Sequence, residues 1–210
     1  MLSGSLFSVL AVIVSMLISI PFHEAMHGFA ARWLGDRTAE EAGRLTLNPL
    51  KHVDIWMTIV LPAALLLVGL PPIFIAKPVP FDPRNVRYEE FGAALVGLAG
   101  PFSNLLLAAV GAIVFRLMGA TGSDASSFAT VLYIFIEVNV LLFVFNMIPI
   151  PPLDGSRLLY AFAPEPIQRL FFQLEATGAG FIVLALFVFT GLLSPFISAV
   201  SGGIFNFLIG

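Results

Sequence analysis

Five consecutive residues, His23-Glu24-Ala25-Met26-His27, concentrate more chemistry than any other stretch of this sequence. On a helix, side chains four apart lie on one face, so the two imidazoles can close on one ion. Nitrogen donors at that spacing suit Zn²⁺, which takes them at about 2.0–2.1 Å. Glu24, beside the first imidazole, can accept the proton of an attacking water, the arrangement used in metal-dependent hydrolysis. With three His and thirteen acidic residues in 210, the pattern His-[Asp/Glu]-x-x-His arises by chance roughly 0.003 times. The bland reading is a polar patch tied up by its neighbours. It weakens inside a membrane, where ionisable groups are costly and usually functional.

A catalytic zinc takes a third protein ligand and keeps one position open. His52, the only other imidazole, sits in a charged loop. Asp154 is the other strong candidate, in Asn146-Met147-Ile148-Pro149-Ile150-Pro151-Pro152-Leu153-Asp154-Gly155. The prolines must end the apolar helix before them. Broken backbone at membrane depth is tolerated where it lines a cavity, and Gly155 permits a backbone shape that presents the carboxylate. Asp154 is equally suited to cap a helix starting near Ser156. There is no Cys, which excludes disulfides and thiolate metal sites.

The elements that must position these groups are read from composition and apolar length. Hydrophobic residues make up 59% and charged residues 11%, against about 25% charged in a soluble domain. A soluble globule of this size could not hide so much apolar surface, so lipid is the expected solvent for much of it. A net charge of -3 with no block of like charges gives no reason to expect a nucleic-acid partner. Segments 4–34, 91–118 and 128–149 are each long enough to span a bilayer. Segment 55–70 is shorter and contains Pro62, and residues 176–209 form either two short spans or one kinked element. The expected fold is therefore an all-α polytopic membrane protein. It has about 4–6 helical segments, with a re-entrant or short extended element between the first two long helices. Residues 1–210 read as a single integral membrane domain with a core at 4–157, and the first apolar segment reads as retained rather than as a cleaved signal.

Three further patterns sharpen this reading. The chain resembles the site-2 protease family of intramembrane metalloproteases through His23-Glu24-x-x-His27 and Asn146-x-x-Pro149-x-x-Pro152-Leu153-Asp154-Gly155. Gly100-Pro101-Phe102-Ser103-Asn104 matches a further family pattern, and Gly43–Pro49 and Ala76–Pro80 resemble stretches of its small bacterial-type members. The matches span roughly residues 20–157, and no PDZ-like or CBS domain is visible, as in a minimal member. The resemblance implies Asp154 as third ligand, one Zn²⁺ per chain, and cleavage within or next to membrane-spanning segments of protein substrates.

Topology gives an independent check. One metal needs the end of the first helix and the residues after 149 on the same side, so one of the three intervening segments should not span, and 55–70 is the expected exception. Nine of the ten basic residues then share a side, all but Arg116, which the positive-inside rule makes cytoplasmic. A bacterial or archaeal cell membrane with the site opening to the cytoplasm is the resulting expectation. Asn104 and Asn146 are candidates for binding substrate or the oxyanion, and extended stretches at 43–48 and 73–81 are candidates for an edge strand that pairs with unwound substrate. Pro21 is placed to kink the first helix, and Glu137 receives no role. The competing reading is a membrane transporter or metal-binding membrane protein without proteolytic activity.

Overall fold

The computed structural model describes residues 6–52, 56, 60, 64, 77–119 and 127–210. The expected re-entrant segment 55–70 and the extended stretch 73–76 lie almost wholly outside the described residues. Among those described, all regular structure is helical.

Three helices are long and apolar enough to cross a membrane: α1 (Leu6–Trp33), α3 (Glu89–Leu117) and α4 (Ser127–Asn146). Between α1 and α3 lies a one-turn helix α2 (Thr38–Glu41), and after α4 come α5 (Gly155–Phe162), α6 (Glu165–Ala176), α7 (Ala179–Phe189) and α8 (Ser194–Ile209). α6 and α7 meet at 89°. The apolar tail beyond that bend is two helices, α7 and α8. At 1.5 Å per residue they are roughly 16 and 24 Å long, each short of the ~30 Å hydrocarbon layer.

The side-chain pattern of α3 is the reverse of a soluble helix. Phe91, Leu95, Phe102, Leu106, Val110 and Ile113 are exposed, whereas Ala94, Gly97, Gly100, Ser103, Asn104, Ala108 and Gly111 are buried. Large apolar groups face lipid, and small residues let neighbouring backbones approach, the packing expected where no hydrophobic effect drives helices together. α3 and α4 close around Ala108, Ala112, Phe115, Ala129, Ile136, Val140 and Val144, with Phe205 of α8 completing the cluster.

On α1 the buried face repeats every four residues through Ala11, Ser15, Ser19 and His23, so a polar stripe runs inward toward the chemistry. Pro21 is buried in this helix and does not interrupt it. The C-terminus of α1 closes in a Schellman motif. The Asp36 amide donates to the Ala31 carbonyl (2.9 Å) and the Gly35 amide to that of Arg32 (3.0 Å), with Gly35 at φ +113°. That turn drives Asp36 inside, where it is fully buried. Its carboxylate accepts from the amide and hydroxyl of Thr38, the Asp82 amide and the Asn85 side chain. Burial alone would raise its pKa, but these donors together hold it below the ordinary carboxylate range. Asp36 therefore pins residues 82–85 to the end of α1.

Candidate metal centre

α1 carries His23 and His27 one turn apart, with ring centroids 4.7 Å from each other. Their Nε2 atoms are 3.1 Å apart and converge on one oxygen of Asp154, Oδ2, at 3.0 Å from His23 and 3.3 Å from His27. Among the described residues this is the one group of three or more His, Asp or Glu side chains arranged to hold a metal. The chain reaches it from two distant places: α1, and the turn after α4. Two crossings, α3 and α4, return the chain to the end of the bundle where α1 holds its histidines.

The turn itself explains why the carboxylate is available. Residues 147–154 contain no helix, and the backbone folds back closely enough that a Cβ at Gly155 would lie 2.4 Å from the Met147 carbonyl oxygen. α5 starts at Gly155 without a side-chain cap from Asp154. The capping role open to Asp154 from sequence is thus not taken up, and its carboxylate turns to the histidines instead.

The opposite nitrogens of both rings are committed. His23 Nδ1 lies 2.7 Å from Asn104 Oδ1, and His27 Nδ1 lies 2.7 Å from the Val96 carbonyl oxygen. An amide or peptide carbonyl only accepts, so each ring donates through Nδ1 and presents the Nε2 lone pair to the centre. Asn104 is completely buried. Its amino group donates to Asn139 Oδ1 (3.0 Å), and the Asn139 amino group donates to Ser19 Oγ (2.8 Å) and the Phe135 carbonyl (2.9 Å). Three spanning helices are thereby joined behind His23. Asn104→Leu should keep the helix bundle but weaken zinc binding by about 10–100-fold, read by chelator competition; unchanged affinity would show that the ring needs no such support.

Gly100 of α3 makes room for the imidazoles. A Cβ there would lie 2.4 Å from His27 Nε2 and 2.6 Å from His23 Nε2. Glu24, half-buried beside the pair, accepts a hydrogen bond through Oε2 from the Val79 amide at 3.0 Å. A cavity of about 440 Å³ with Arg84, Glu89, Arg157, Tyr160 and Phe172 in its walls is lined by none of His23, Glu24, His27 and Asp154.

The remaining sequence candidates make contacts of their own. His52 is buried and donates through Nε2 to the Thr46 carbonyl (2.7 Å), outside the cluster. Asn146 donates to the Leu142 carbonyl of its own helix (3.0 Å). Residues 43–48 form turn and coil with no strand. Glu137 is exposed on α4. Sequence reasoning missed Gly100, Val96, Ser19 and the Val79 contact. Gly100 left a trace as part of Gly100-Pro101-Phe102-Ser103-Asn104, and Val79 as part of Ala76–Pro80, though neither stretch indicated the contact it makes.

Two imidazoles and a carboxylate oxygen are a donor set suited to zinc in a catalytic site, and with three protein ligands one position stays open. Comparison with known proteins agrees with that chemistry. The model of "Peptidase family M50" matches residues 11–190. The chain is similar to "Putative zinc metalloprotease YwhC" of Bacillus subtilis, with 38% identity over 182 residues, covering 84% of this chain and 79% of the relative. It is also similar to "Putative zinc metalloprotease Rip2" of Mycolicibacterium smegmatis, with 31% identity over 191 residues, covering 85% of this chain and 66% of that one. No solved structure matches the chain. A family match over most of the chain, together with a histidine pair on α1 and an aspartate brought to it by the turn after α4, places this protein in peptidase family M50.

Proposed function

We propose that this protein is an intramembrane zinc endopeptidase that hydrolyses peptide bonds within or next to the membrane-spanning helices of anchored protein substrates. The observation that carries the reading is the convergence of His23, His27 and Asp154 at one end of an apolar bundle, with Glu24 beside them. His23, His27 and Asp154 are assigned as the ligands of one zinc ion and Glu24 as general base. Zinc, when bound, would supply Lewis-acid polarisation of the scissile carbonyl and a lowered pKa for water.

The chain's own groups do the rest. Glu24 accepts a proton from the attacking water and returns it to the leaving nitrogen, so no covalent acyl intermediate is required. Asn104 is assigned to holding the His23 ring, because both ends of its amide are already engaged there. Asn146, one turn before the Pro-rich break and half-buried, keeps the proposed substrate or oxyanion role. A substrate helix hides its peptide groups in its own hydrogen bonds, so cleavage requires local unwinding near the centre. Residues 1–210 are read as one catalytic unit embedded in a bacterial or archaeal cell membrane.

The site is proposed to open toward the cytoplasm. Arg32, Arg37, Arg44, Lys51, Lys77, Arg84, Arg87, Arg157 and Arg169 belong to segments at the active-site end, and Arg116 alone lies at the other. A topology reporter inserted after Gly122 should give the external signal, and a cytoplasmic signal would reverse the orientation. Single-span peptides in liposomes, with products mapped by mass spectrometry, test the substrate class. Cuts inside or within a few residues of the apolar stretch are expected; cuts confined to water-exposed tails would contradict it.

A further inference from the structure

The stretch Lys77-Pro78-Val79-Pro80-Phe81-Asp82 has no regular secondary structure, yet it is fastened at nearly every residue. The Lys77 amide donates to the His52 carbonyl (2.9 Å), and Arg44 Nη2 donates to the Lys77 carbonyl (2.9 Å), with that of Pro78 at 3.5 Å. The Asp82 amide donates to buried Asp36 (2.8 Å), and the Arg157 guanidinium lies over the Phe81 ring at 4.7 Å from its centre. The Val79 side chain is buried against α1 where Gly28 leaves a notch: a Cβ at Gly28 would meet Val79 Cγ1 at 3.1 Å and Leu45 Cδ1 at 3.0 Å.

All of this presents one group to the site. Pro78 and Pro80 have no N–H, so Val79 carries the only main-chain donor of the tripeptide. That donor is spent on Glu24 Oε2 at 3.0 Å. A carboxylate on a flexible stem would otherwise sample several rotamers, most of them useless for moving a proton between water and a leaving nitrogen. One oxygen held by a fixed amide leaves the other for proton transfer at a defined place.

We propose that the 77–82 strap is a positioning element for the general base, with the Val79 amide as the group that orients the Glu24 carboxylate and Arg44, Asp36 and the Gly28 notch as its fasteners. This rests on the assignment of Glu24 as base. It assigns the Pro-Val-Pro segment to the enzyme's own proton-transfer group.

Hydrogen–deuterium exchange in the full-length protein tests the contact without any substrate, because Pro78-Val79-Pro80 contains a single exchangeable amide. In Glu24→Ala the Val79 amide should exchange at least about tenfold faster than in wild type. In Arg44→Leu and Val79→Pro, zinc content should stay at the wild-type level. Turnover of a single-span peptide that wild type cleaves should fall about tenfold to hundredfold, with KM within about twofold. Unchanged Val79 exchange in Glu24→Ala overturns the proposal. So does unchanged or raised kcat with zinc retained in Arg44→Leu, or a loss of activity that merely follows loss of zinc. Should Val79→Pro fail to fold, the exchange measurement and Arg44→Leu decide. If Glu24→Gln still cleaves, it is the base assignment that fails; if Glu24→Gln is inactive and Val79 exchange ignores Glu24, only the strap proposal does.

Discussion

Glu24→Gln is expected to lower turnover by about 10²–10⁴-fold, the range that a general base supplies, while bound zinc stays at one per chain. Gln has nearly the same shape, and its amide oxygen can still accept from the Val79 amide as Oε2 does now. The side chain should therefore stay in place, having lost only its ability to take a proton. None of the three candidate ligands is touched. The same variant separates the protease from a transporter built on the same residues: a transporter has no water to deprotonate and should keep both zinc and transport. Cleavage retained at the wild-type rate would remove Glu24 from the mechanism.

Gly100→Ala is the second large effect, and it comes from a residue with no side chain. The new methyl group would project to 2.4 Å from His27 Nε2 and 2.6 Å from His23 Nε2, the two atoms that converge on Asp154. α3 cannot simply retreat. The adjacent Pro101, Ser103 and Asn104 are buried, and the Val96 carbonyl on the same helix holds His27. Zinc affinity should drop by at least about 100-fold, the upper end of what supporting-shell changes cost, and cleavage should drop with it. In an exposed helix Gly→Ala stabilises by roughly 1 kcal/mol. The expected signature is thus a helical, folded protein that has lost its metal, seen by chelator competition alongside thermal unfolding. Normal zinc binding in Gly100→Ala would mean that the histidines sit farther from α3 than the geometry gives.

What the sequence reveals here follows from how local each feature is. His23, Glu24 and His27 share one turn of one helix, so their spacing alone displays the chemistry. The three long helices are visible because a bilayer sets a minimum apolar length, and α1, α3 and α4 fall within a few residues of the expected segments. Asp154 is different in kind. Its approach to the histidines depends on two intervening crossings and a Pro-rich reversal, and from the residues alone His52 and Asp154 stand as alternatives. Family resemblance favours Asp154, and the side-chain geometry brings it to the pair while turning His52 to Thr46.

Helix-crossing contacts stay hidden in a linear reading. Asn104 is legible as a polar group at membrane depth, but its direction, toward His23 Nδ1 and Asn139, depends on the rotation of α3 against α1 and α4. Gly100 matters for the same reason: only the crossing shows that its missing side chain is space for imidazoles. Asp36 lies in a stretch of charges that reads as a solvated loop, yet the helix end turns it fully inward. A short-range hint existed, an Asp two residues before Thr38, the spacing of an Asx turn. The edge strand expected at 43–48 rests on local residue preference. There Gly43 has φ +63° and the Thr46 amide reaches back to the Arg44 carbonyl (3.0 Å), so the chain turns where an extended strand would have to continue.

The measurement that bears most directly on the metal centre is zinc analysis of the purified, detergent-solubilised protein beside its His23→Ala, His27→Ala and Asp154→Ala variants, each confirmed folded by its helical signal. One zinc per chain in wild type, with loss in all three variants, is the predicted result. Wild type without zinc, or Asp154→Ala with its zinc intact and tightly held, would contradict the three-ligand centre on which the proposed function rests.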